Sequence, residues 1–222
     1  MVETWDGTIS STDFYVAASA FSQRWTKFNS CLPQWTWVPS CNRPWVSNDK
    51  HKEGYLSMEN VLLPGSPEIV QKENCVENVE CISECQDELS DDAILVHNDG
   101  PGEHRFDFHV VYSASFRVPV LFFRAYCSDG QPLLLDDIEK DISISAAEQL
   151  TKSKWTFITQ EEHPHLNRPW YMLHPCATSE WMKLLSAAWI PAENFLSSWF
   201  SVVGQVFRLK IPYQMLLDIQ AT

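Results

Sequence analysis

The twenty-two residues from Arg105 to Tyr126 limit the fold more than any other part of the chain. They read RFDFHVVYSASFRVPVLFFRAY, dense in the β-branched and aromatic side chains that suit a pleated, half-buried surface. Phe106, Phe108, Val110 and Tyr112 alternate with Asp107, His109 and Ser113, as in a strand with one buried face. Two antiparallel strands joined near Ser113 to Arg117 are predicted. Pro119 has no N–H to give a ladder and belongs at a strand start or edge, so Tyr112 to Ala125 is expected to offer an exposed edge to partners. Ser128-Asp129-Gly130-Gln131-Pro132 closes the second strand with a turn.

Helical patterns lie on both sides of this hairpin. Thr12 reads as an N-cap with Asp13 in the first turn, and Phe14, Ala17, Ala18, Phe21, Trp25 and Phe28 follow at helical spacing, ending near Asn29. Short strands are predicted around Trp35 to Val38, Gly54 to Leu63 and Lys154 to Thr159. Leu133 to Asp141 is a connection with a short helical or extended piece. Glu161 to Pro169 reads as a loop, and Trp170 to Leu173 as an apolar run entering His174-Pro175-Cys176. Two helices follow. Thr178 or Ser179 can cap the first, with Trp181, Leu184, Leu185 and Ala188 on one face. Pro191 can open the second, with Phe195, Trp199, Val202, Val203 and Val206 as its stripe. The order gives an α+β domain, an antiparallel sheet flanked by helices. At 222 residues a core needs no disulfide or metal staple, and ten tryptophans with twelve phenylalanines read as its filling.

A net charge of −13 argues against nucleic-acid binding, which needs clustered Lys and Arg. Much of that charge sits between Pro64 and Asp92, where nine acidic residues face one basic residue, Lys72. The chain is therefore read as a single domain over 1–222 with an acidic, flexible insertion at about 64–102. Cys75, Cys81 and Cys85 lie in it, but their spacing does not match structural zinc sites and His97 is a weak fourth ligand, so no metal is expected. Met1 to Asp6 has no basic head and no apolar run, and no stretch approaches a membrane span. Seven cysteines without a scaffold spacing then suggest reduced thiols and a cytoplasmic protein.

Cys176 is the cysteine best placed for chemistry. It stands just before a predicted helix, whose N-terminal end favours the thiolate. Pro175 stiffens the approach, and His174 is close enough to assist electrostatically if protonated. Taken alone, a single cysteine is more often a packed structural residue.

Three blocks change that weighting. FITQEEHPHLNRPWYMLHPCATSEWM from Phe157 to Met182 resembles the active-site region of the autophagy-related protein ten family of ubiquitin-like-conjugating enzymes. YSASFRVPVLFFRA, continued by Asp129 to Leu133, resembles that family's central strands, and SSWFSVVGQVFRLKIP from Ser197 to Pro212 its C-terminal part. The resemblance implies a ubiquitin-conjugating-enzyme-like fold and a thioester on Cys176. The implied partners are autophagy-related protein seven as activating enzyme, autophagy-related protein twelve as modifier and autophagy-related protein five as target. No cofactor is implied. Conventional ubiquitin-conjugating enzymes carry His-Pro-Asn upstream of the cysteine, where this chain has His163-Pro164-His165. Asn167, Thr178 and backbone N–H groups near Cys176 are then the candidates for holding the oxyanion, with His174 and Pro175 completing the active-site loop. The sister enzyme, autophagy-related protein three, is the nearest rival, with transfer to a lipid headgroup. A cysteine hydrolase would instead need a histidine base, for which His109 with Asp107 or Asp129 is available. A non-catalytic binding module on the same fold is the remaining alternative.

Overall fold

The computed structural model describes residues 5–40, 53–64, 103–142, 158–185 and 189–217. The acidic segment beyond residue 64, and the start of the strand expected from Lys154, lie outside the described residues.

Helix α1 spans Ser11–Phe28. Its N-cap is Ser10 rather than Thr12. Ser10 Oγ accepts the Asp13 N–H at 3.1 Å and donates to Asp13 Oδ2 at 2.7 Å, a reciprocal cap that Thr12 stands too late in the chain to make. Phe14, Ala17, Ala18, Phe21 and Trp25 are buried along one face, and Asn29 closes the helix.

Six antiparallel strands form one sheet: β1 (Thr36–Pro39), β2 (Gly54–Pro64), β3 (Glu103–Ser113), β4 (Val118–Tyr126), β5 (Ile158–Glu162) and β6 (Pro169–Leu173), in the order β1-β2-β3-β4-β6-β5. β3 and β4 pair from Arg105↔Tyr126 to Ser113↔Val118, the predicted hairpin. They lie inside the sheet, with β1 and β5 as its edges, so the exposed edge expected along Tyr112 to Ala125 is reduced to the parts of β4 that β6 does not reach. Pro119 is accommodated because the β4–β6 ladder includes only Phe122↔Met172 and Phe123↔Tyr171, leaving the start of β4 beyond the end of β6. Where that ladder stops at its other end, the Arg124 guanidinium donates twice to the Pro169 carbonyl, at 2.7 and 3.1 Å, and lies over the Trp170 ring.

Helices cover one face of the sheet. After α2 (Leu135–Asp141) and β6 come α3 (Thr178–Leu185), α4 (Ala192–Val203) and α5 (Tyr213–Leu217). α1 packs on α4, and Phe21, Trp25, Trp35 and Phe200 meet edge to face or tilted. Phe207, in the turn after α4, sits among Phe106, Phe108 and Phe123 of the sheet. The aromatic wealth is thus core. The stripe read for α4 is buried at Phe195 and Trp199, joined by Leu196 and Phe200, while Val202 is exposed. Of the face read for α3, Trp181 packs partly against the core, but Leu184 is 79% exposed and Leu185 about half exposed, and the fully buried residue is Met182; Ala188 lies outside the described residues. Met182 and part of Trp181 face the core instead.

The other sheet face is also covered. Tyr55, Val111, Val120, Phe122 and Trp170 form a second, smaller core. β3 is therefore buried on both sides, and His109, expected on a polar face, is 2% exposed.

Candidate active site

β6 delivers the chain to Cys176. Beyond Leu173 the backbone stays extended at His174, then tightens into a 3₁₀ turn over Pro175–Ala177 that runs into α3. Proline suits the first position of that turn, where an N–H would have no partner. His174 is its N-cap, with Nδ1 accepting the Cys176 N–H at 3.2 Å. The Thr178 N–H goes to the Pro175 carbonyl. The Cys176 thiol is exposed at this junction.

Two other segments frame it. The β3–β4 turn brings Phe116 edge-on to the His174 ring, at 5.5 Å between centroids and 80° between planes. That turn is fixed by the Arg117 N–H donating to the Ser113 carbonyl at 2.7 Å, with Arg117 left-handed. The segment before α1 then crosses it. The Ile9 N–H donates to the Arg117 carbonyl at 2.9 Å, and the Tyr112 hydroxyl to the Ile9 carbonyl at 3.1 Å. Asp6 pairs with the Arg117 guanidinium at 3.3 Å. The Thr8 hydroxyl bond holds the Asp6 carboxyl below its ordinary value; burial opposes it, and the Thr8 N–H and the Arg117 charge add to the lowering. Gly7, at φ +79°, lies so close to the start of α3 that a Cβ would fall 1.9 Å from the Ser179 carbonyl oxygen. Phe116, Arg117, Asp6 and Gly7 were not singled out in the sequence. Asp6-Gly7 carries a turn signal, but only the fold shows what it turns toward.

The structure brings His174, Pro175, Cys176 and Thr178 together. It does not bring Asn167 to them. Asn167 is left-handed in the β5–β6 turn, with its N–H on the His163 carbonyl at 3.0 Å. The five residues of β6 separate it from the site by roughly 16 Å of extended chain. Thr178 is buried at the start of α3. Of the backbone donors near the thiol, those of Cys176 and Thr178 are already engaged.

His109, the histidine considered as a hydrolase base, is elsewhere. His109 Nδ1 faces His163 Nε2 at 3.0 Å, and His163 Nδ1 accepts the His165 N–H at 3.2 Å. Burial, with positive neighbours led by His163, pushes His109 down to about 3; burial, then His165 and Arg124, pushes His163 down to about 4. Asp107 accepts the Asn60 N–H and Asp129 the Gln131 N–H. No hydrolase triad is assembled from these residues. Among the described residues no group of three or more His, Cys, Asp or Glu could hold a metal ion. Cys75, Cys81, Cys85 and His97 lie outside them.

The fold is thus a helix-backed antiparallel sheet that presents an exposed cysteine on a capped turn. The family model described as "Autophagocytosis associated protein, active-site domain" matches residues 13–214. The ubiquitin-like-conjugating enzyme ATG10 of Arabidopsis thaliana is 47% identical over 222 residues, covering 96% of this chain and 97% of that one. The Homo sapiens enzyme of the same name is 42% identical over 111 residues, 49% of this chain and 50% of that one. A solved structure described as "Crystal structure of Autophagic E2, Atg10" aligns over 91% of this chain and 99% of that one, with a TM-score of 0.47 at 16% identity. The chain belongs to the ATG10 family of ubiquitin-like-conjugating enzymes.

Proposed function

We propose that Cys176 carries the modifier. Its thiolate attacks the carbonyl of the modifier's C-terminal glycine, held as a thioester on the activating enzyme. A new C–S bond forms and the activating enzyme's thiolate leaves. A lysine amine of the target then attacks the Cys176 thioester, the Cys176 thiolate departs, and the amine's proton passes to solvent or a base. The isopeptide bond needs no further ATP, because the thioester is already activated; the protein contributes placement and charge stabilisation.

The observation that carries this reading is the exposed Cys176 on its Pro175-stiffened turn at the head of α3. Cys31 is also exposed, but it follows the end of α1 rather than leading into a helix, and Cys127 is partly packed against the core. Given the family, we assign autophagy-related protein seven as activating enzyme, autophagy-related protein twelve as modifier and autophagy-related protein five as target, in the cytoplasm. No helix among the described residues is long and apolar enough to cross a membrane.

The test is a non-reducing gel of this chain mixed with that activating enzyme, that modifier and ATP. A reductant-sensitive adduct is expected, and adding the target should discharge it to a reductant-stable conjugate. An adduct that never forms overturns the reading. One that forms but discharges only onto phosphatidylethanolamine vesicles overturns the assigned target.

A further inference from the structure

We infer that His174 is a positioning residue for Cys176, working as a neutral hydrogen-bond acceptor rather than as a charge or a base. The inference rests on Cys176 being the thioester-forming nucleophile.

A backbone N–H can only donate, so the nitrogen 3.2 Å from the Cys176 N–H must present a lone pair. His174 is therefore neutral in this arrangement, with its proton on Nε2. That leaves no lone pair to take a proton from the thiol, and no positive charge to stabilise a thiolate. Pro175 has no N–H, so the first amide of the turn belongs to Cys176 itself, and it is the one the N-cap side chain takes. Asn, Asp, Ser and Thr usually fill that role. Histidine adds a ring long enough to meet Phe116, whose turn is pinned by Arg117 and the segment before α1. The ring contact adds to the frame around the turn, but it is the accepted N–H that places the nucleophile's backbone. Transthiolation demands a narrow approach, and a displacement of the order of 1 Å can cost about a hundredfold in rate.

The experiment uses the full chain in single turnover with modifier-loaded activating enzyme, alongside iodoacetamide alkylation of Cys176 read by peptide mass spectrometry at the same pH. His174→Ala should slow charging at saturation by about tenfold or more, without moving the half-saturating concentration. Alkylation should be unchanged, because a small reagent can approach a loosened thiol from any side. His174→Asn, whose Oδ1 can accept the same N–H without an imidazole, should charge close to the wild-type rate, which also controls for folding. If Asn is as slow as Ala, the imidazole's own chemistry is needed and the inference is wrong. Alkylation falling in parallel with charging overturns it too, since thiol reactivity rather than placement would have changed. An Ala variant that charges normally is equally fatal. A wild-type chain that never forms the adduct removes the nucleophile reading beneath it, a result distinct from the other three.

Discussion

Nδ1 of His109 on β3 and Nε2 of His163 in the β5–β6 turn face each other at 3.0 Å, both side chains buried on the sheet face opposite α1 and α4. The direction of the bond follows from its neighbour. His163 Nδ1 accepts the His165 N–H, so the His163 proton is on Nε2 and is donated to His109. His109 then carries its own proton on Nε2, toward the Glu59 carboxylate 3.8 Å away. Tyr55 and Trp170 enclose the pair, and Tyr55 also stacks on His165. This neutral chain locks the β5–β6 hairpin, and with it β6, against the central strands.

Acid should therefore loosen the second core. His109 and His163 titrate near 3 and 4 in the folded protein, against about 6.5 when exposed. Between those values the unfolded chain binds more protons, so stability rises with pH. Their contribution is complete above about pH 6.5 and is lost as the pH falls toward 4, at no more than ~1.4 kcal/mol per pH unit for each histidine. Urea midpoints measured from pH 7 to 4.5 should show this slope. His163→Gln keeps an acceptor for the His165 N–H and a donor for His109 while removing one titration, so its slope should be about half as steep. Equal slopes in the two proteins would show that the loss originates elsewhere.

The segment before α1 should be sensitive to a single methyl group. At Gly7 a Cβ meets the Ser179 carbonyl oxygen at 1.9 Å, and φ is +79°, a region side chains avoid. Gly7→Ala should destabilise by about 1–3 kcal/mol. Because Ser179 is three residues beyond Cys176, charging should slow as well. Gly130→Ala is the comparison: its φ is +85°, but nothing lies within 4 Å of its Cβ position, so backbone strain acts there without a clash. If both variants lose the same stability, the close approach at Gly7 has no weight.

The hairpin and the turn that carries Cys176 were legible in the sequence because both are local. Alternation at Arg105 to Tyr126 and Pro175 before a helix start act within a few residues. What was missed depends on distant partners. His109 is buried by His163 and Trp170, which arrive from a hairpin more than fifty positions later. Asn167 looked near Cys176 because nine positions separate them, but five of those are spent in an extended strand. Ser10 outcompeted Thr12 because Asp13 stands three residues after it, where both halves of the cap close. On α3 both faces carry apolar residues, so composition could not select between Met182 and Leu184.

That last point has a direct test. Met182→Ala removes a fully buried side chain and should cost about 2–5 kcal/mol in urea unfolding. Leu184→Ala removes one that is mostly in water and should stay within about 0.5 kcal/mol. Reversal of the two would restore the face originally expected from the sequence.

The claim with most depending on it is that Cys176 alone bears the modifier. Its environment is built for an open thiol: the N-cap, the proline and the Phe116 turn hold the backbone, while the side chain stays exposed. Cys176→Ala deletes only a surface sulfur, so the melting temperature should stay within about 2 °C of wild type, as for other exposed substitutions. The reductant-sensitive adduct should vanish. Cys176→Ser replaces the thiol with a weaker nucleophile; where it reacts, the adduct should resist reductant, because an oxyester replaces the thioester. The seven cysteines of the chain make the Ala variant decisive. A reductant-sensitive adduct that persists in it would place the nucleophile on another cysteine and undo both the site assignment and the role inferred for His174.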